Sequence, residues 1–349
     1  MQRPKYFVGL DIASETFTAA AGVEPWQLRV KPQQFENELD SFPKFLVWLQ
    51  EHGLEREKTV LCMEATGVYG EALAYYLNAN GYHLAVEPPL KVKRAFKPHG
   101  PKTDPVDSQQ IAEYACRHWD ELHLWQPNQE VLEQIKVLLN TREQFVVQST
   151  AHQNALRALK RKVVRTRLAE QVHIEALNQI KQHLHTIETE VQRLIDQDPT
   201  FGQMVGLLVT IPGVGLLLAA HFLVTFQTSP ERPTYKQLAS HLGICPHEHS
   251  SGSSMYPYSA SRRFGPSAMR RLLYLASMSL RTHQPDFQRY FERKVAQGKP
   301  KQLVLNNIAN KLLKIMCAVL TNQTPYIPNY RSINPIVFKK TLTVSSYSE

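Results

Sequence analysis

Cysteine is scarce in this chain: its 349 residues include only four, and they are far apart in the sequence. They are Cys62, Cys116, Cys245 and Cys317, and no two of them form a CxxC pair. A disulfide framework or a zinc site uses closely spaced cysteines, so the pattern argues against both. We expect all four thiols to be reduced and structural.

Long apolar runs are also missing, and the N-terminus lacks the pattern of a secretory signal peptide. A membrane-spanning helix needs about 18 consecutive apolar residues, and the sequence contains no such run. We therefore expect a protein that is neither secreted nor membrane-spanning. A cytoplasmic location with no membrane partner follows by default.

Acidic residues are fewer than basic ones. The chain has 31 Asp and Glu against 40 Lys and Arg, a formal net charge of +9 and a pI of about 9.3. This balance favours a polyanionic partner such as nucleic acid, although many basic proteins bind none. The length favours two domains over one, and a hydrophobic content of 43% is ample for real cores.

Four of the acidic residues stand where a carboxylate needs compensation. Asp11 and Glu64 each end a short apolar run that is typical of a buried strand, and Asp104 and Asp107 lie together at the start of a predicted helix. A carboxylate at the end of a buried strand is costly unless something compensates it. Hard divalent cations do so with oxygen ligands. We predict that these four acids form a two-metal site of the kind that cleaves phosphodiesters.

Each acid also has a structural interpretation. Asp104 before Pro105 is a good helix N-cap, and Asp107 could complete an acidic capping pair. Asp11 could be a turn residue at a strand end. Glu64 is harder to explain in this way, because Glu is depleted in strands and is rarely buried unpaired. The joint arrangement of the four acids on one fold is what favours the metal site.

The order of predicted elements indicates an α/β domain at the N-terminus. Strands are predicted over residues 5–11, 16–23, 27–35, 59–64 and 82–86, and helices over 42–52, 69–80, 91–97 and 104–118. A meander followed by strand–helix alternation is typical of a mixed sheet covered by helices. A ribonuclease-H-like fold fits this order, with Asp on the first strand and an acid on the fourth.

Residues 128–197 follow a different pattern, in which mostly apolar positions, with Arg142, Ser149 and His152 among them, alternate at spacings of four and three. One seam runs from Val131 to Leu159 and a second from Leu177 to Leu194. Two helices packed as an antiparallel hairpin, or against a partner chain, would use such seams. An ordinary helical core is an equal alternative on periodicity alone.

Five basic residues fall within eight positions between the two seams, with no acid among them. They are Lys160, Arg161, Lys162, Arg165 and Arg167. Such a run is usually a solvated face, but in a basic nuclease candidate it is a candidate phosphate contact.

The C-terminal part is predicted to be mainly helical, with a turn at 211–215 and an irregular serine-rich segment at 247–266. The glycines of the turn, Gly213 and Gly215, fit a helix–hairpin–helix turn that approaches a phosphate, or a plain tight turn. The serine-rich segment is a linker by composition. Its flanking arginines argue otherwise, because they would stabilise a phosphate beside a serine hydroxyl. These arginines are Arg262, Arg263, Arg270 and Arg271.

Several short motifs in this order resemble one known family. The N-terminal ones are residues 9–11, 63–69 and 102–107, and the C-terminal ones are 211–215, 242–246, 250–252 and 263–270. Each is weak alone, but their order and spacing together are similar to the DEDD transposases of bacterial insertion sequences, the "one-ten" group, which are bridge-RNA-guided serine recombinases.

The resemblance implies three domains and a tail. They are a RuvC-like domain over 1–125, a coiled-coil hairpin over 126–198, a transposase domain over 199–325 and a tail over 326–349. It implies that Asp11, Glu64, Asp104 and Asp107 bind Mg²⁺ or Mn²⁺. Ser251 matches the nucleophile that forms a covalent phosphoserine, with Ser250 as second choice because serines crowd the site. Donor and target DNA, a structured guide RNA and a homo-oligomer, dimer or tetramer, are the implied partners. The expected location is the bacterial cytoplasm, at the nucleoid during action.

Two other functions fit the same residues. A junction-resolving nuclease would use the four acids to activate water and the serines as a linker. A non-catalytic module would keep the fold and the positive charge alone, although an intact set of four acids argues against it.

Overall fold

The first strand is the central element of a five-stranded mixed sheet with the order β3-β2-β1-β4-β5. In the computed structural model, which describes residues 3–65, 67–96, 104–227, 233–249, 258–261 and 265–328, β1 is antiparallel to β2 and parallel to β4. The strands are β1 (Tyr6–Ile12), β2 (Thr16–Val23), β3 (Gln27–Glu36), β4 (Thr59–Glu64) and β5 (His83–Glu87).

Four helices accompany this sheet, and they are α1 (Phe42–Glu51), α2 (Glu71–Ala79), α3 (Pro89–Ala95) and α4 (Asp104–Arg117). Alternation along β1 separates two cores, with Val8 and Leu10 in one and Phe7 in the other. The first core includes the apolar faces of α1 and α2. The second includes Ile111 and Tyr114 of α4. Whether an acid at a strand end lies near α4 therefore depends on the face of the sheet to which its side chain points.

The predicted N-terminal elements are confirmed, including the antiparallel meander of the first three strands and the parallel β4 and β5. The mixed five-stranded sheet with its helices is compatible with a ribonuclease-H-like domain. The chain divides into two units, one ending at Asn128 and the other beginning at Gln129.

The second unit is mostly helical. Its helices are α5 (Glu130–Leu159), α6 (Arg167–Gln197), α7 (Pro199–Val209), α8 (Leu216–Gln227), α9 (Tyr235–His241), α10 (Ser267–His283), α11 (Pro285–Ala296) and α12 (Lys301–Asn322). The long helices α5 and α6 pack along each other as the predicted hairpin. Buried residues near its base, among them Ile135 and Val191, share one core with α7, α8 and α10 to α12.

The seam between α5 and α6 is apolar near its base and combines polar and apolar contacts further along. Val191 is fully buried within the chain, so this part of the seam packs inside one molecule. Beyond it, Arg142 is paired with Glu188 at 2.7 Å, and the Nδ1 atoms of His152 and His173 are 2.8 Å apart. Of the two packings that the seam left open, the hairpin within one chain is the one that covers Val191.

The segment predicted to be irregular contains a short antiparallel sheet of two strands, β6 (Pro246–His249) and β7 (Tyr258–Ser261). Four-residue strands rich in His and Ser carry little of the alternation that reveals a strand, and the sequence pattern missed them. Of the predicted tail, residues 326–328 lie within the described part of the chain.

The last long helix, α12, is long and apolar enough to cross a membrane by length and composition alone. In its most apolar window 56% is buried, as expected for a core helix, so it is weak support for a membrane span. All four cysteines are free, as predicted; Cys62, Cys116 and Cys317 are buried and Cys245 is half-buried.

Candidate active site

Asp11 lies near the end of β1 on the face of the sheet that α4 covers. It is two residues beyond Gly9 and four beyond Phe7, so all three side-chain positions point to the same face. Its partner across the antiparallel pair is Thr18 of β2, which is buried. The central strand therefore brings a carboxylate to the edge of the core beneath the start of α4.

Gly9 is what allows α4 to come this close. A Cβ built on Gly9 would lie 2.3 Å from the backbone nitrogen of Ala112, far inside contact distance. Only glycine fits where a helix backbone lies directly on a strand backbone. This contact places the first turn of α4, with Asp104 and Asp107, near the end of β1.

Three of the four predicted acids line one cavity of about 320 Å³. They are Asp11, Asp104 and Asp107, and two hydroxyl side chains of β2, Thr16 and Thr18, lie on the same wall. Asp104 and Asp107 occupy the first turn of α4, where the helix dipole favours negative charge. The cavity thus gathers carboxylate and hydroxyl oxygens from three elements of one unit.

Glu64, the fourth predicted acid, ends β4 beside β1. Leu10 of β1 pairs with Met63, so Asp11 and Glu64 are the next residues along two adjacent parallel strands. Glu64 is half-buried and shares the face of Cys62 and of α4. Among the described residues, those that line the cavity do not include Glu64. It lies at the same edge of the sheet but not on this wall.

Glu87 is a fifth carboxylate at this edge, which the sequence pattern did not single out. It ends β5, pairs in register with Glu64, and is 4% exposed. Lys91 of α3 lies with its Nζ 3.1 Å from the Glu87 carboxylate and compensates it. Burial, and then the negative charges of Glu87 and Glu64, raise the pKa of the Cys62 thiol. The signal was present, since Glu87 ends an apolar strand as Glu64 does.

The donor set of the cavity fits a hard divalent cation, because carboxylate and hydroxyl oxygens are its preferred ligands. The side-chain positions are not those of a closed metal cage. Across the described ranges, no three His, Cys, Asp or Glu side chains are gathered tightly enough to hold a metal ion. The chemistry of the residues fits, while the ligand role of the four acids stays a prediction.

The predicted nucleic-acid contacts of the hairpin and of the glycine turn lie in the second unit. All five residues of the basic run are exposed at the α5–α6 turn, and Arg165 donates hydrogen bonds to the carbonyls of Lys160 and Lys162. Gly213 has φ +81°, and a Cβ there would be 3.1 Å from Leu280 of α10. Gly215 has open space beside it. The turn therefore packs on α10 at one glycine and is open at the other.

Two of the four predicted arginines have partners in the protein. Arg270 donates to the carbonyl oxygens of Gly265 at 2.8 Å and Leu242 at 3.2 Å. Arg271 forms a two-pronged ion pair with Glu143 of α5, at 2.8 and 2.6 Å. Both arginines hold helices of this unit together. Ser250, Ser251, Arg262 and Arg263 lie outside the described residues.

Comparison with known proteins gives the class of the molecule. Residues 8–164 match a family described as "Transposase", the DEDD transposases of the IS110 group, and residues 205–292 match the "Transposase IS116/IS110/IS902 family". The first range contains all four predicted acids. The chain is thus a DNA transposase or recombinase, and an enzyme.

Two relatives match nearly the full length of the chain, and another matches less than half of it. The pilin gene-inverting proteins of Moraxella bovis and Moraxella lacunata are each 27% identical over 334 residues, covering 92% of this chain and 98% of theirs. A protein of insertion element IS110 from Streptomyces coelicolor is 28% identical over 151 residues, 43% of this chain and 36% of its own. The chain thus carries two transposase domains of the IS110 family, whose DEDD members are typically dependent on divalent metal.

Proposed function

We propose that this transposase cuts and rejoins DNA at a divalent-metal site formed by Asp11, Glu64, Asp104 and Asp107. The observation that carries the proposal is the shared cavity, whose wall holds three of these carboxylates. Mg²⁺ or Mn²⁺, when bound there, would supply positive charge for the phosphate oxygens and lower the pKa of the attacking hydroxyl. Thr16 and Thr18 offer hydroxyl groups beside the carboxylates, and β1 and α4 hold the acids in place.

Ser251 is the proposed nucleophile, with Ser250 as the second candidate. Its hydroxyl oxygen attacks a DNA phosphorus and loses its proton, a serine–phosphate ester forms, and one strand oxygen departs and is protonated. Gly252 beside Ser251 leaves room for the backbone to approach a phosphate. Arg262 and Arg263, close in sequence, would hold the phosphate oxygens. Attack by another strand end reverses the chemistry and rejoins the DNA.

The relatives named for pilin gene inversion favour rejoining over hydrolysis. Inversion of a gene requires every cut strand to be joined again, and a covalent protein–DNA ester conserves the bond for that purpose. A junction-resolving nuclease would instead transfer the phosphate to water. The same comparison therefore supports a recombinase over the nuclease alternative.

The remaining parts of the proposal concern partners and organisation. The chain would act on donor and target DNA in the cytoplasm, at the nucleoid, with a structured RNA from its own element as guide. Residues 1–125 would form a RuvC-like catalytic domain, 126–198 a coiled-coil hairpin and 199–325 the domain that holds the serine, with 326–349 as a tail. The basic run Lys160–Arg167, the 211–215 turn, and Arg262 and Arg263 would contact phosphates. A dimer or tetramer would join the acids of one subunit to the serine of another.

A denaturing gel with labelled DNA tests the chemistry. The wild-type protein with Mg²⁺ should leave protein covalently attached to DNA, and Asp11→Ala should abolish cleavage while its thermal melting stays normal. Asp120→Ala is the matched control, because Asp120 is an exposed acid of the same unit outside the cavity. Cleavage without a covalent adduct would identify a nuclease. Full activity of Asp11→Ala would show that the proposed metal site does not carry out the reaction.

Mixing inactive variants tests the shared site. Asp11→Ala and Ser251→Ala proteins should each be inactive alone, and together recover part of the activity if acid and serine come from different subunits. An adduct formed by Ser251→Ala alone would exclude Ser251 and leave Ser250 as the candidate.

A further inference from the structure

A second cavity, of about 730 Å³, lies between α11 and α12 in the helical unit. Positive side chains from both helices line it: Arg289 and Arg293 from α11, and Lys311 and Lys314 from α12. On each helix these residues follow spacings of three and four, so they share one face. Its size is that of a ligand site rather than of a packing defect.

The charge in this cavity is poorly balanced. Asp286 is the one carboxylate among the described lining residues, and it is paired with Arg289 at 2.5 Å. Within the described part of the chain, Arg293, Lys311 and Lys314 are in no ion pair. Three positive charges without a paired acid repel one another, and a bound polyanion would stabilise the arrangement.

An aromatic ring lies among these charges. Tyr290 is half-buried, with the Nζ of Lys311 4.8 Å and the guanidinium of Arg293 5.9 Å from its ring centre. A helix face that is only solvated would not require an aromatic side chain among its charges, so the ring of Tyr290 favours a ligand. Cations beside a partly exposed aromatic ring are a combination that binds an unstacked base together with its phosphates.

We propose that the α11–α12 cavity binds a single-stranded segment of nucleic acid, with a base stacked on Tyr290 and its phosphates on Arg293, Lys311 and Lys314. Single-stranded rather than duplex nucleic acid follows from the ring, because a base inside a duplex is already stacked and cannot reach it. RNA and DNA share this chemistry. The proposal goes beyond the metal site and needs no strand cleavage.

Binding in EDTA tests it separately from catalysis. Fluorescence anisotropy would measure the binding of three labelled probes. They are a 20-nucleotide single-stranded DNA, the same sequence as RNA, and the corresponding DNA duplex. The triple variant Arg293→Gln/Lys311→Gln/Lys314→Gln should bind either single strand more than tenfold more weakly at physiological salt. Its log–log salt slope should fall by about two, since each lost phosphate contact of a single strand removes about 0.7.

Two matched controls give the test its specificity. Lys294→Gln/Lys299→Gln/Lys301→Gln removes the same charge from the same region outside the cavity, and should change binding less than threefold. Tyr290→Ala should weaken binding at least fivefold while Tyr290→Phe, which keeps the ring, should bind like the wild type. Thermal melting confirms that each variant is folded.

Three outcomes would overturn the proposal: equal losses in both triple variants, wild-type binding by a folded Tyr290→Ala protein, or an equal loss on the duplex. A loss confined to RNA or to DNA supports the site and identifies its ligand. The proposed strand exchange needs divalent metal, which EDTA removes, so this assay measures binding alone. A negative binding result therefore does not bear on the proposed strand exchange. Failure of strand exchange likewise leaves this binding result standing.

Discussion

Gly9 of β1 lies so close to α4 that a Cβ at residue 9 would be 2.1 Å from the carbonyl oxygen of Ser108. Ser108 is itself fully buried, and its hydroxyl donates to the carbonyl of Pro105 at 3.0 Å in the first turn of the helix. The strand that carries Asp11 and the helix that begins with Asp104 and Asp107 therefore meet backbone to backbone at Gly9.

Gly9→Ala should accordingly damage the site through the backbone. The new methyl group has to push α4 away from β1, which we expect to destabilise the protein by about 1–3 kcal/mol. DNA cleavage should fall by more than the folded fraction does, because Asp104 and Asp107 move with the helix. Urea unfolding and a cleavage assay on the same sample measure the two effects.

Gly206→Ala is the control for this substitution. Gly206 is inside α7, and a methyl group added there would have nothing within 4 Å, so alanine should leave stability unchanged or raise it by about 0.5–1 kcal/mol. A Gly9→Ala protein as stable and active as Gly206→Ala would contradict the close contact.

Divalent metal should stabilise the wild-type protein and not the variants of the acid cavity. Mn²⁺ at about a hundred times its Kd would add about 2.7 kcal/mol to the free energy of unfolding. The variants Asp11→Asn and Asp104→Asn should lose most of this gain, whereas Asp120→Asn should keep it. Thermal melting with and without Mn²⁺ measures the difference without any catalytic assay. Identical metal-induced shifts in all four proteins would place the metal elsewhere.

The N-terminal fold could be predicted because its signals are local. Most strands from Tyr6 to Glu87 are short apolar runs, although β3 is largely polar. The helices have regular apolar spacing, so element order and the α/β class follow from the sequence alone. Strand-end carboxylates were visible for the same reason. The sequence could not show that Gly9 admits α4, because that contact joins residues about a hundred positions apart.

Side-chain partners were harder to foresee than elements. Arg270 and Arg271 were predicted as phosphate contacts from their charge, yet they hold Gly265, Leu242 and Glu143 in the structure. Charge alone does not distinguish an arginine that packs helices from one that binds a ligand. The α11–α12 cavity was missed because its cations come from two helices, and neither helix has a run of basic residues.

Lys91 should be required to keep Glu87 buried. Lys91→Met leaves the Glu87 carboxylate with little exposure and no cation, which we expect to cost about 1–3 kcal/mol. Adding Glu87→Gln to Lys91→Met should recover much of the loss, because the unpaired charge is then removed. Urea unfolding of the single and double variants gives the coupling. Lys93→Met, an exposed lysine on the same helix, should cost little, and an equal loss there would refute the pairing.

The basic run at the hairpin turn should contribute to nucleic-acid binding through charge alone. Changing Lys160, Arg161, Lys162, Arg165 and Arg167 to Gln should weaken DNA or RNA binding and lower the salt slope by about one unit per lost contact. Val163→Ser/Val164→Ser changes two exposed residues of the same turn without changing its charge, and should bind normally. An unchanged salt slope in the five-residue variant would make the run a solvated face.

His221 should make the helical unit sensitive to mild acid. Burial lowers the pKa of this α8 histidine from 6.5 to about 4, with Arg142 and Arg271 lowering it and Glu143 opposing them. Between these two pH values the unfolded chain binds a proton that the folded chain does not. The contribution of neutral His221 to the free energy of unfolding is therefore fully present above about pH 6.5. It is lost as the pH falls towards 4, and the loss is at most about 3 kcal/mol.

His221→Gln removes the titrating group and should flatten this part of the stability profile. Urea unfolding at pH 7 and pH 5 should show a smaller decrease for His221→Gln than for the wild type, whatever the absolute stability of the variant. His185→Gln, which changes an exposed histidine of α6, should keep the wild-type decrease. The comparison uses, for each protein, the change in the free energy of unfolding between pH 7 and pH 5. A general loss of packing at residue 221 lowers both values and therefore does not produce the same result. An equal decrease in all three proteins would show that His221 is not the group that titrates.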